Sequence, residues 1–488
     1  MAKTGAPIET SQIIKPSHIW MAVLVLLSVS LGSMLLLSYP LNYLPFVILG
    51  GAVFLYTAFR QPYVGLFFYL IIFFFRPYEL WPAPVPYEKI VGLVILIILA
   101  VHLIVKRIDI KFDRLDWAVA GMVIAAAVSV PSFTDMGDNT KSFEAWFEFF
   151  KVFLVYFFTL QIANSKSKLE AIVWLFVLSN LYLAGTTTYN YYTGHYRVSM
   201  GIARARGMAD QGLFSHPNSV ANSTVLGLPF VYCFLRHYRN LAVKLLLAAF
   251  LALSAWTVVI TGSRGGMIGL FAFALIIGWK SKHRGFSLAA SAVGILALVA
   301  VMPGQYQERL FSLGNVFGED TTGAAESAIG RVEGLVTGLK LFLMRPLTGV
   351  GIGAFGRAHY LLGGAATEAH NLLGQVMGEL GIIGVVAFTW FVVTKVRYAR
   401  DLVKEYAKQD WPSDILLTIT QAVQIALILI FVQGISGSNL FRYNWYVFAC
   451  FLSIITFLTA DRIRRERSSS PSDEPDVGIS APPHVERL

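Results

Sequence analysis

Apolar and polar residues alternate in long blocks. Apolar stretches lie near residues 19–38, 43–59, 62–75, 88–105, 115–131, 144–163, 169–188, 216–235, 242–261, 265–280, 287–302, 372–394, 413–433 and 443–460. Most approach the roughly 20 residues that a helix needs to cross a bilayer. The pattern predicts an all-α membrane protein of about 12–14 transmembrane helices, the third stretch being short and set close to the second. Residues 1–18 are polar, and the first run is long enough to span. It reads as an uncleaved anchor rather than a secretory signal.

Sidedness follows from the connections. Every second loop is basic: Lys106 to Arg114, Lys166 and Lys168, Arg236 to Lys244, Lys280 to Arg284, Lys395 to Lys408, and Arg462 to Arg467. The positive-inside rule assigns these loops to the cytoplasm, with both termini. The expected organisation is an N-terminus over 1–18, a first bundle over 19–302, an outward helical segment over 303–371, last helices over 372–462, and a disordered cytoplasmic tail over 463–488. Composition agrees: 56% of the 488 residues are hydrophobic and 14% charged, too apolar for soluble cores. The net charge of +10 sits in short clusters between spans, with no nucleic-acid motif. Orientation explains it better than nucleic acid. Cys233 and Cys450 fall inside apolar runs, where a small hydrophobe is the simpler role.

The chemistry gathers in the outward loops. Ser327 to Leu343 carries apolar residues at helical spacing, with Gly330, Gly334 and Gly338 every fourth residue, which lets another backbone approach. Arg345-Pro346 should end this helix. PLTGVGIGAF follows, and its alternating glycines read as a tight turn or re-entrant approach, since no strand–helix unit makes them a dinucleotide fingerprint. Next, His370 and Asn371 stand at the mouth of the run that contains Glu379. An ionisable residue at that depth faces protein or a water-filled cavity. Neutral imidazole suits proton abstraction from a hydroxyl, although His370 alone reads equally as an interfacial histidine. RARGMADQGLFSHPNSVAN and TGSRGGMIG face the same side. Arg264, flanked by Gly262, Gly265 and Gly266, could meet a bulky anion unobstructed, and arginine forks match phosphate oxygens. Singly, these arginines read as anchors or salt-bridge partners. Together with His370 they point to an anion-binding cleft with a base.

From Arg197 to Gly384 the chain resembles the O-antigen ligase and polymerase superfamily of bacterial membrane glycosyltransferases. The resemblance rests on ordered blocks: RGMADQGLFSHPNSVAN, TGSRGG, Gly330-Arg331, RPLTGVGIGAF and AHNLLGQVMGELGIIG. It implies a GT-C-like bundle of about a dozen helices with a periplasmic helical segment, in the bacterial inner membrane. It also implies a donor glycan on undecaprenyl diphosphate and an inverting transfer that needs no metal or other cofactor. His370 takes the place of the family's histidine and Arg264 that of an arginine near the diphosphate. Arg206 is the second, with Arg204 as the alternative register. The family often has Asn where Ser215-His216 stand before Pro217-Asn218.

On this basis Arg206 and Arg264, helped by Arg331, would stabilise the departing diphosphate, and His370 would accept the proton of the acceptor hydroxyl, its ring oriented by Asn371 or Glu379. Outward carboxylates are Asp210, Glu308, Glu319, Asp320, Glu326 and Glu368, the last beside His370. The expected partners are the lipid-linked donor, a glycolipid, glycan or protein acceptor, and the bilayer itself, with no nucleic acid. A polymerase of the same superfamily and a transporter of anions or lipid-linked glycans are the competing readings.

Overall fold

The computed structural model describes residues 44–77, 87–105, 110–131, 140–199, 201–207, 213–311 and 323–469. The first apolar run, the polar N-terminus, Asp210, Glu319, Asp320 and the stretch beyond Ser469 lie outside the described residues, as does the side chain of Glu326. The protein is an all-α membrane protein. Its helices are α1 (Leu44–Arg60), α2 (Pro62–Phe75), α3 (Tyr87–Ile104), α4 (Arg114–Ser129), α5 (Thr140–Ile162), α6 (Lys166–Tyr192), α7 (Pro217–His237), α8 (Leu241–Ile260), α9 (Arg264–Lys280), α10 (Arg284–Val301), α11 (Gly304–Phe311), α12 (Gly323–Met344), α13 (Phe355–Leu361), α14 (Leu372–Lys408), α15 (Ile415–Gly434) and α16 (Tyr443–Ser469). Each apolar run from residue 43 onward coincides with one helix. Among the described residues, seven helices are long and apolar enough to cross a membrane, and Pro62–Phe75 and Lys89–Ile104 are shorter apolar helices.

Local chemistry explains the helix starts. Asp113, Ser165, Asn240, Ser263, Asn371 and Asp414 each cap a helix by accepting a backbone N–H. Pro62 and Pro217 occupy first turns, where their missing N–H costs nothing. The core lies where α7, α15 and α16 meet: Val225, Phe230, Ile430, Trp445 and Phe448 are almost wholly enclosed. By contrast α10 buries none of its residues and packs along α9.

Three features depart from the sequence expectations. Strands β1 (Tyr196–Ser199) and β2 (Ile202–Ala205) form an antiparallel hairpin, with Arg197 opposite Arg204. Its turn uses Gly201 at φ +72°. The apolar run that starts at residue 372 continues as helix to Lys408, so Lys395 is no loop residue: it is fully buried, its Nζ donates to the Trp445 carbonyl at 3.0 Å, and it sits 4.2 Å from the Phe391 and Trp445 ring centres. Helix α16 likewise continues to Ser469, past the boundary expected at 462.

At the basic-loop end, Asp414 pairs with Lys166 at 3.1 Å and with Arg462 at 2.9 Å, tying α6, α15 and α16 together. The opposite end carries α11 to α13 and the motif residues.

Candidate functional site

The glycines of α12 do what their spacing predicts, at two of the three positions. A Cβ on Gly334 would lie 1.7 Å from the Ala369 carbonyl oxygen, and one on Gly338 would lie 2.4 Å from the Gly374 carbonyl oxygen, whereas Gly330 faces open space. The α12 backbone therefore presses against the segment that carries His370 and starts α14. Below that contact, α14 breaks at Gly381 (φ +61°, ψ −156°). The break frees carbonyls that the GVGIGAF loop satisfies: Val350 N–H donates to Gly378 O at 2.8 Å and Gly351 N–H to Glu379 O at 2.9 Å. Gly349, Gly351 and Gly353 all have positive φ, so the alternating glycines build a tight turn docked into a broken helix.

Glu379 belongs to this joint. Its carboxylate is 4% exposed, accepts from Gln375 Nε2 at 3.4 Å, and takes backbone hydrogen bonds from Gly353 and Phe355. Asn371 caps α14 by accepting from Gly374 N–H at 3.1 Å, and its Nδ2 donates to Ile435 O at 3.4 Å. Both side chains are thus engaged in fixing backbone around His370. His370 itself is exposed at φ +46°, a left-handed conformation that is unusual for a side-chain-bearing residue. Its N–H donates to Ser438 Oγ at 3.0 Å.

Ser438 lies in the loop between α15 and α16, Ile435 to Arg442, to which the sequence motifs assign no role. Ser436 O accepts from Arg331 Nε at 3.4 Å, and Ser436 Oγ occupies the space a Cβ on Gly265 would need. Leu440 N–H donates to Gln375 Oε1 at 3.2 Å, and Arg442 Nη2 to Ser219 Oγ at 3.1 Å. One polar loop therefore touches α7, the start of α9, α12 and the start of α14. A signal was present: a short Gly/Ser/Asn turn, ISGSN, on the His370 side by helix parity.

Arg264 opens α9 directly after its cap, Ser263, and is 4% exposed. Its flanking glycines serve packing rather than ligand access. Gly266 abuts Ala221, Gly265 abuts Ser436, and Gly262 (φ +58°) abuts Tyr306. Arg204, 8% exposed, donates from Nε to Thr261 O at 2.8 Å and from Nη2 to Asn218 Oδ1 at 2.7 Å. It clamps the hairpin onto the turn before α9 and the start of α7. Tyr306 OH adds a bond to Ala203 O at 2.5 Å, and burial pushes its phenol well above the usual range, so it stays protonated as a donor. Arg206, half-buried, follows the hairpin. His216 accepts at Nδ1 from Arg197 Nη1 at 3.2 Å, since guanidinium only donates.

Beside Ser438 a cleft of about 740 Å³ opens among α2, α3, α5, α13 and α14. Phe149, Phe150 and Leu93 line its apolar wall, and Arg76, Arg442 and Glu368 its polar end. Burial, reinforced by the like charge of Arg76, holds the Arg442 guanidinium below its ordinary value, while Glu368 opposes that shift. Arg76 also lies over the Phe214 ring at 5.8 Å.

Residues 249–389 match a family model described as O-antigen ligase. Over this stretch the chain is similar to the O-antigen ligase family. The stretch contains Arg264, Arg331, His370, Asn371 and Glu379, whereas Arg204 and Arg206 precede it. No curated protein matches the chain. The similarity to that family supports a membrane enzyme of the ligase or polymerase type with a glycosyltransferase-like activity.

Proposed function

We propose that the protein transfers a glycan from undecaprenyl diphosphate to an acceptor hydroxyl on the face that carries His370, the periplasmic face of the bacterial inner membrane. The observation that carries this reading is the convergence on one loop, Ile435 to Arg442, of His370, Asn371, Arg331 and the start of α9 with Arg264. In the reaction the acceptor oxygen attacks the anomeric carbon and His370 takes its proton. The bond from that carbon to the diphosphate oxygen breaks with inversion, and Arg264, Arg206 and Arg331 stabilise the departing charge. Arg204 positions the hairpin that presents Arg206. Asn371 and Glu379 hold the backbone that presents His370. The cleft beside Ser438 takes the isoprenoid chain of the donor, and no metal takes part.

Two features support the assignment of His370. Its imidazole is exposed while its backbone is held in a left-handed conformation by Ser438 and the α14 cap, which is how a site residue is presented rather than a core residue packed. The test is transfer by the purified, reconstituted chain from an undecaprenyl-diphosphate glycan, in chelator, to a panel of glycolipid, glycan and protein acceptors. Acceptance of a second lipid-linked glycan would make the protein a polymerase. No transfer to any acceptor by the folded wild type would overturn the proposal.

A further inference from the structure

On the basic-loop side, far from His370, a second groove of about 680 Å³ runs between α4 and α14. Ligand-binding clefts commonly have this size. The groove's polar end at Arg397 lies roughly 24 Å along α14 from the break at Gly381, which places that end across the bilayer from the transfer site. Its wall is apolar and faces outward from the bundle: Val386 is 61% exposed, Trp390 46% and Val393 40%. At its end stand the exposed residues Arg114 and Arg397, with Asp401 as the counter-charge, leaving one net positive charge among the residues that line the groove. Helices α4 and α14 pack along each other, which holds the two arginines on adjacent elements.

We propose that this groove holds an anionic phospholipid of the leaflet on the basic-loop side, its phosphate between Arg114 and Arg397 and an acyl chain along Val386, Trp390 and Val393. The argument is charge complementarity combined with depth. Two cations stand at the polar end of a wall apolar enough for hydrocarbon, and guanidinium forks match phosphate oxygens. A zwitterionic lipid brings no net charge to the surplus cation, and a protein helix would leave the arginines needing their own partners. The site is independent of the transfer reaction.

Trp390 supplies the readout, because it lines the groove. The full chain is reconstituted in phosphatidylcholine vesicles containing a minor fraction of phosphatidylglycerol, with brominated acyl chains on one lipid or the other. Quenching of Trp390 is taken as the difference between the wild type and Trp390→Phe. The expected result is quenching by brominated phosphatidylglycerol about fivefold above its bulk fraction, the preference that one uncompensated cation confers at a lipid surface. Arg114→Gln with Arg397→Gln should return quenching to the bulk fraction. Arg114→Lys with Arg397→Lys, and Arg400→Gln outside the groove, should retain the enrichment. Quenching in proportion to bulk composition in the wild type would overturn the proposal. So would no quenching by either lipid, which would mean that protein covers the groove.

Discussion

His370 and Arg204 separate two roles that are indistinguishable in a list of residues. The His370 ring is exposed and its backbone is held by others, so His370→Ala should leave the unfolding temperature unchanged while lowering transfer about 10²–10⁴-fold, the usual weight of a general base. Unchanged transfer in the folded variant would remove it as the base. Arg204 is the opposite case. It is buried and satisfies Thr261 O and Asn218, so Arg204→Ala should cost about 3 kcal/mol, read as a drop in unfolding temperature in detergent. Arg206→Ala should lower transfer with little change in stability. Equal destabilisation by both variants would mean that the hairpin presents neither arginine. The side-chain type made the arginines candidates for anion binding. Which of them binds backbone instead depends on the fold of the hairpin, which four-residue strands hardly signal.

Helices α12 and α14 form the element on which the site depends. Their contact requires backbone against backbone at Gly334 and Gly338, so alanine at either position must push the helices apart. Overpacking of this kind costs roughly 1–3 kcal/mol, and here the obstacle is a carbonyl rather than a flexible side chain. Gly334→Ala should therefore lower both stability and transfer. Gly330→Ala, which meets nothing, should be neutral or slightly stabilising because alanine favours helix. Thermal unfolding of the three variants checks the order, and an equal effect at all three positions would refute it. The four-residue period of the glycines was legible from the chain. The partner, Ala369 and Gly374, was not, because a close-packing stripe carries no mark of what it packs on. The same holds for the Gly381 break, whose freed carbonyls are satisfied by a loop some thirty residues earlier.

Across the whole molecule, the charge pattern makes a statement about orientation that can be tested without substrate. Cys233 and Cys450 are both buried, so they add little background to thiol labelling. With Glu333→Cys, half-exposed on the His370 side, a membrane-impermeant maleimide should react in intact cells stripped of their outer membrane. With Arg400→Cys, exposed near the far end of α14, reaction should require permeabilisation. The reverse pattern would place the proposed transfer site in the cytoplasm, where the basic loops would contradict the positive-inside rule.

The chain alone determined the membrane class, the placement of the helices and the residue types of the site, because hydrophobic transfer and the positive charge of arginine act over local windows of sequence. Each apolar run that falls within the described residues became a helix for that reason. The motifs that made His370, Arg264 and Arg331 candidates lie within the stretch that the family model matches. Tertiary structure decided what those residues touch. Lys395 changed from a loop cation to a buried one because a helix continued through it, and Glu379 became a brace for the GVGIGAF turn because α14 breaks two residues later. The loop from Ile435 to Arg442 became the meeting point of the site because four helices converge there. Convergence of that kind is set by packing between segments distant in the chain, and no local pattern encodes it.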